Sequence, residues 1–177
     1  MKLLSKPTTN YKANKNIKLG YHTYFLSLAH SDISGYNVCP MANKLKAKEN
    51  NKNKSTCSAV CVGYNGFANI YKSIMEARIR KTKLFFEDRN LFFEYLIKDI
   101  QSAIKSSTKK GLIPTFRLNA YSDIKYENIK VNHNNKIYNN IFEIFPDIKF
   151  YDYSKIALHL YDVFKNLDSV SLEEINE

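Results

Sequence analysis

Two long stretches of helical spacing, set among three short β-type runs, most constrain what this chain can fold into. From Ala68 onward Ile70, Ile74, Ala77 and Ile79 recur at helical intervals, with Arg78, Arg80 and Lys81 on other faces. Asp88 then stands as a cap before Leu91, Phe92, Tyr95, Leu96, Ile100 and Ile104, and Lys109-Lys110-Gly111 closes that second helix. Tyr24 to Leu28, Ile113 to Asn119 and Ile148 to Tyr153 read as strands, the second opened by Pro114. Shorter helices are expected over Tyr138 to Phe145, stopped by Pro146, and over Ile156 to Asn166. The connections are long enough for parallel crossovers, so the expected class is α/β: an open parallel sheet with flanking helices, or a partial (β/α) barrel. A full barrel takes about 250 residues, and this chain has 177.

Residues 1–16 are polar, contain Pro7 and carry no apolar period, so they read as a flexible basic arm before a single domain over 17–177. The Lys- and Asn-rich segment from Lys44 to Ser55 has almost nothing to bury and reads as a charged surface insertion. No window approaches the run of about 18 apolar residues that spans a bilayer, and the first residues lack the apolar centre of a signal peptide, so a soluble, cytoplasmic protein with no membrane partner is expected.

Charge is unevenly placed. Of a formal net charge of +10, residues 1–60 contribute +8, from ten lysines against Asp32 and Glu49. Such a segment favours phosphate-rich partners, because lysines that neutralise phosphates release counterions. The competing reading is a lysine-rich surface that is merely solvated.

The three cysteines, Cys39, Cys57 and Cys61, are the residues with the most distinctive chemistry. An odd number in a reducing compartment disfavours disulfides and leaves metal binding, a reactive thiol or simple burial. Thiolates are soft, charged donors, and Cys57 with Cys61 forms a close pair that could share a zinc ion or an iron–sulfur cluster with Cys39. For zinc, a fourth ligand would come from His30 or His22. In parallel α/β proteins ligands gather beyond the C-terminal strand ends. Cys39 follows the first strand, Asn119, Ser122 and Asp123 the second, and Asp152, Tyr153, Ser154 and Lys155 the third. All three groups should therefore share one face. There Asp123 and Asp152 could accept ribose hydroxyls or amines, Lys155 could meet a carboxylate or phosphate, and Arg78 and Lys81 could reach a ligand from the first long helix. Each carboxylate also has a structural alternative: a helix cap for Asp123, an ion pair with Lys155 or Arg117 for Asp152. The aromatic runs Phe85-Phe86 and Leu91-Phe92-Phe93 could stack bases, but at helical spacing they fit a core. Glycine-rich phosphate or dinucleotide loops do not occur.

Gly35-Tyr36-Asn37-Val38-Cys39-Pro40-Met41-Ala42, Cys57-Ser58-Ala59-Val60-Cys61, Glu76-Ala77-Arg78 and Arg80-Lys81-Thr82 resemble the phage gene product 88 family. So do Phe116-Arg117-Leu118-Asn119, Ser122-Asp123-Ile124, Asn140-Ile141-Phe142, Phe145-Pro146-Asp147 and Phe150 to Lys155, in order over roughly residues 16–170. The resemblance implies a phage or mobile-element context. Its members are similar to radical S-adenosylmethionine enzymes in a cysteine triplet after a first strand with βα units behind it, which implies a [4Fe-4S] cluster, S-adenosylmethionine and a nucleotide or nucleic-acid substrate. Those enzymes usually show C-x3-C-x2-C, whereas Cys39, Cys57 and Cys61 are spaced C-x17-C-x3-C, and the chain ends where a further strand would begin. A non-enzymatic nucleic-acid-binding protein with structural cysteines, and a shortened remnant acting through a partner chain, are the alternatives.

Overall fold

In the computed structural model, the structure describes residues 1–9, 11–40 and 70–153. In chain order the elements are β1 (Leu4–Ser5), α1 (Tyr11–Ile17), β2 (Tyr21–Leu26), the single-turn α2 (Ser31–Ser34), α3 (Lys72–Glu87), α4 (Arg89–Thr108), β3 (Ile113–Arg117), β4 (Val131–His133), β5 (Lys136–Tyr138) and β6 (Lys149–Phe150). Four of the strands make an open sheet in the order β1-β2-β3-β6, and β4 pairs with β5. The pairing of β2 with β3 is parallel, from Tyr21 opposite Ile113 to Phe25 opposite Arg117, and β6 continues it in parallel beside Thr115 and Phe116. Within that sheet, among the described residues, only β1 runs antiparallel, Leu4 facing Leu26, and the separate β4–β5 pair is antiparallel as well. The class is therefore α/β in its open-sheet form, with no closed barrel among the described residues.

Alternation along β2 decides what covers each face. Tyr24 stacks on Phe116 at 5.5 Å between centroids and sends its hydroxyl toward α4, where Ala103 O lies 3.4 Å away. Thr23 points the other way, where Asn16 of α1 donates to its Oγ1 at 3.2 Å. The core lies between the sheet and the α3–α4 pair: Leu26, Leu28, Phe116 and Leu118 meet Phe85, Phe92, Phe93, Leu96 and Ile100, joined by Tyr126, Val131 and Ile141. The aromatic runs are thus core rather than base-stacking surfaces. Asp88 caps α4 as expected, its Oδ1 accepting from Leu91 N at 3.0 Å. Gly111, at φ +66°, takes the left-handed conformation that turns the chain back into β3.

Four expectations need correction. Residues 1–16 are not simply an arm: Leu3 and Leu4 are buried and Leu4 pairs in the sheet. The physical reason is a polar clamp, since Asp99 Oδ2 accepts from both Leu3 N, at 2.7 Å, and Leu4 N, at 2.9 Å. The buried line of α3 is Arg78, Thr82 and Phe85, not an Ile70–Ile79 stripe; Thr82 Oγ1 accepts from Ala29 N at 2.8 Å, tying the helix to the loop after β2. Residues 138–145 are not a helix. Asn134 and Asn135, both at positive φ, form the turn of a β4–β5 hairpin, and only Phe142–Ile144 makes one 3-10 turn. There Asn140 Oδ1 accepts from Phe142 N and Glu143 N, a side-chain turn that competes with helix. Finally, the third strand is the two residues Lys149–Phe150. The insertion at 44–55 and the helix expected at 156–166 lie outside the described residues. Among the described residues no helix is long and apolar enough to cross a membrane.

Full burial of a leucine side chain is worth about 1.5–3 kcal/mol. Deleting residues 2–6 should therefore lower unfolding free energy in urea by about 3 kcal/mol or more, where a mobile arm would leave it unchanged.

Candidate functional site

Because β2, β3 and β6 are parallel, the segments that follow them leave the sheet at the same end, and the structure ties those segments together. Asp123 N donates to Val38 O at 2.8 Å, and Cys39 Sγ lies 3.8 Å from Tyr121 O. Asp152 Oδ2 accepts from Asn119 N at 2.9 Å, while its Oδ1 takes Tyr153 N at 2.8 Å and Arg117 Nε at 3.4 Å. The Asp152–Arg117 ion pair foreseen as one alternative is thus present. Asn119 folds the loop after β3 around its own amide: Oδ1 accepts from Ser122 Oγ and Ile124 N, and Nδ2 donates to Ile124 O. From α3, the Arg78 guanidinium lies 4.3 Å from the centre of the Tyr121 ring, in cation–π contact.

Cys39, Asn119, Asp123, Asp152 and Arg78 are therefore neighbours on one face. Lys81 is not used there. Its Nζ donates to Leu3 O at 2.6 Å, so it holds the N-terminal strand instead. Lys155, Cys57 and Cys61 lie outside the described residues. Of the two histidines considered as a fourth ligand, His22 sits at the start of β2, with Nδ1 within 2.8 Å of Ser107 Oγ, away from the strand ends. His30 stands at the start of α2, its carbonyl accepting from Ile33 N and Ser34 N, in the segment between β2 and Cys39. Among the described residues there is no group of three or more His, Cys, Asp or Glu side chains arranged to hold a metal ion.

Electrostatics follow from burial. His30 is held below the ordinary imidazole value chiefly by burial, with Arg78 lowering it and Asp32 opposing, so it is neutral at pH 7, the ligand form of the ring. Burial pushes the Asp152 carboxyl up, against the lowering effect of its hydrogen bonds and of Arg117. Tyr126, 1% exposed, lies within the field of Asp152, and burial raises its phenol above the ordinary range. Its hydroxyl has no hydrogen-bond partner among the described residues. Sequence reading passed over Tyr121 and Tyr126: nothing local marks them, because their roles come from Arg78 and Asp152, many residues away.

A family model described as gene product 88 matches residues 2–176. The chain belongs to the gene product 88 family. The match covers nearly all of this phage-type chain, including the N-terminal strand and all three cysteines. No curated protein and no solved structure matches it.

Two substitutions probe this framework. Asp152→Ala removes the acceptor of Asn119 N and the partner of Arg117, and an unsatisfied buried donor costs about 1–3 kcal/mol, so unfolding free energy should fall by about 2 kcal/mol. For Lys81, burial lowers the ammonium to about 8 despite the attraction of Asp99. The folded state then releases its proton before the unfolded chain, whose lysine titrates near 10.4. The cost of the buried charge is full below pH 8 and is relieved as pH rises from 8 toward 10.4. The stability of the wild type relative to Lys81→Met, measured by urea unfolding at pH 7 to 10, should accordingly rise across that window.

Proposed function

We propose that this gene product 88 family member is a metalloprotein in which Cys39, Cys57 and Cys61 ligate a zinc ion or a [4Fe-4S] cluster beyond the ends of the parallel strands, beside loops that receive a nucleotide or nucleic-acid substrate. The observation that carries the reading is Cys39 itself: a half-buried thiol in the segment that follows β2 and α2, with Sγ 3.8 Å from Tyr121 O in the loop after β3 that Asp152 ties at Asn119 N. The donor chemistry fits. Thiolates are soft ligands, His30, held below the ordinary imidazole value by burial, stands before α2 in the segment that leads to Cys39, and the Arg78 guanidinium next to Tyr121 offsets the negative charge that a thiolate set brings. A bound cluster with an open position would supply redox or Lewis-acid chemistry, S-adenosylmethionine being its natural co-substrate; a closed zinc site would supply stability alone.

The chain's own groups have definable parts in this reading. Asp152 fixes the loop after β3 through Asn119 N, and its second oxygen, which accepts from Arg117 Nε and Tyr153 N, is the acceptor this reading offers to a ligand hydroxyl or amine. Asp123 is held by its backbone to Val38, one residue before Cys39, so a ligand at either loop is felt by the other. Lys155, two residues after Tyr153, supplies a cation for a ligand phosphate or carboxylate.

Anaerobic purification followed by iron, sulfide and zinc analysis tests the proposal. It expects near-stoichiometric metal, at least about tenfold less in Cys39→Ala, given the 10–100-fold losses typical of weakened metal sites. A metal-free chain whose melting temperature is unmoved by replacing all three cysteines with alanine would sink it.

The +8 carried by residues 1–60 favours a second reading, a non-enzymatic nucleic-acid binder. That reading requires affinity for DNA or RNA that falls steeply with salt and is lost when the lysines of residues 1–18 and of the 44–54 insertion are neutralised.

A further inference from the structure

Alternation along the strands gives the sheet a second face, opposite the α3–α4 core. Phe116 stacks on Tyr24 and lies 5.5 Å from the Phe150 ring on the core side, so Thr115 and Arg117 of β3, with Lys149 and Tyr151 at β6, project to the other side. Contacts across the strands agree: Thr23 Oγ1 lies 2.8 Å from Thr115 Oγ1, and the Tyr151 hydroxyl reaches the Thr23 side chain. On that face α1 covers β2, through Asn16 on Thr23. Toward the β6 edge the side chains are exposed instead, Tyr151 by 37% and Tyr153 by 70%.

What stands at that edge is a row of rings and cations. Lys149 Nζ sits 5.9 Å from the centre of the Tyr21 ring, Tyr151 and Tyr153 meet edge to face at 6.2 Å, and the Arg117 guanidinium lies 4.7 Å from the centre of the Tyr153 ring. A single exposed tyrosine needs no explanation. Two, interleaved with cations and continued by a third ring, make a surface with a definite chemistry. Asp152 meets this row at Arg117, 3.4 Å away, but its oxygens also accept from Tyr153 N and Asn119 N. Its charge is therefore largely compensated within the loop, and Lys149, at an exposed position, adds to a chain that is +10 overall.

A partner that matches the row must offer flat π-bearing groups joined by negative charge. Unpaired nucleobases on a phosphate backbone do: each base has a face to lay on a tyrosine, and the phosphates between them meet the cations. In a duplex those faces are already stacked on one another, which leaves only phosphates for the row to meet. A second copy of this chain would bring positive charge against positive charge. We propose that Tyr151, Tyr153, Arg117 and Lys149 form a platform that binds single-stranded nucleic acid by base stacking. The proposal rests on the nucleic-acid reading above and names the surface for it, at the edge that also carries Asp152.

The test is fluorescence anisotropy of the full chain with a labelled oligothymidylate of about ten nucleotides and with a duplex of the same length, at fixed salt. Saturable binding to the single strand is expected, with a Kd about tenfold or more below that for the duplex. Tyr153→Leu, at a mostly exposed position that the fold does not need, should weaken single-strand binding about tenfold, and Tyr153→Phe, which keeps the ring, should leave it within about twofold. Lys149→Gln should reduce the slope of log Kd against log salt by about 0.7. Equal affinity for the duplex, or single-strand binding unmoved by Tyr153→Leu, overturns this proposal alone. No binding to either oligonucleotide overturns it together with the nucleic-acid reading, and so does a row that sizing of Tyr153→Leu against the wild type shows to be a dimer contact in a chain that binds neither.

Discussion

The parallel register of β2 on β3 is the constraint on which the rest of the structure depends. Parallel neighbours cannot be joined by a tight turn, so the chain between Leu26 and Ile113 must cross from one end of the sheet to the other. The α3–α4 pair makes that return and, in doing so, covers the sheet face that carries Tyr24 and Phe116. The same register puts the exits of both strands at one end. Cys39 meets Tyr121, and Val38 meets Asp123, because Phe25 is opposite Arg117, not because the intervening sequence holds them close.

Polar groups in this fold are committed to positioning chain segments before they are free for chemistry. Asp99 and Lys81, from α4 and α3, grip consecutive backbone groups of the N-terminal segment from two sides: the carboxylate takes Leu3 N and Leu4 N, the ammonium gives to Leu3 O. A two-residue strand has too few ladder bonds to hold itself on an edge, and this clamp supplies what the ladder lacks. Lys81 sits three residues from Arg78 on the same helix, yet one serves the sheet edge and the other the strand-end face. Helical spacing alone puts them side by side; only the tertiary arrangement separates their tasks.

That division marks what the sequence could and could not reveal. Asp88 was legible because a cap is a contract with residues three positions away, and Gly111 because a left-handed turn needs no distant partner. The clustering of Cys39, Asn119 and Asp152 was legible through topology, since strand-helix-strand order implies parallel strands and parallel strands imply a common exit face. The N-terminal strand was not, because two apolar residues in a polar stretch carry no period, and their burial depends on Asp99 more than ninety residues on. Arg78 looked like a surface charge because helical pattern-reading assigns charges outward, whereas the face of α3 that turns inward is lined by Arg78 and Thr82. The 138–145 segment misled through composition: its apolar residues suit a helix, but Asn140 offers the backbone a side-chain acceptor that ends the structure after one turn.

The strand-end face also carries a cost that the core does not. Asp152 is desolvated enough for its carboxyl to be pushed up, and Tyr126 keeps a buried hydroxyl with no partner among the described residues. Asp152 recovers part of its cost through three donors; Tyr126 recovers none from the described chain. Phenylalanine in place of Tyr126 would fill the same space between Phe85 and the Asp152 loop without the desolvation penalty. Among the described residues that hydroxyl is uncompensated, and the Asp152 charge that acts on it belongs to the loop system pinned at Asn119 and at Val38, on the side of the molecule where a ligand is proposed to bind.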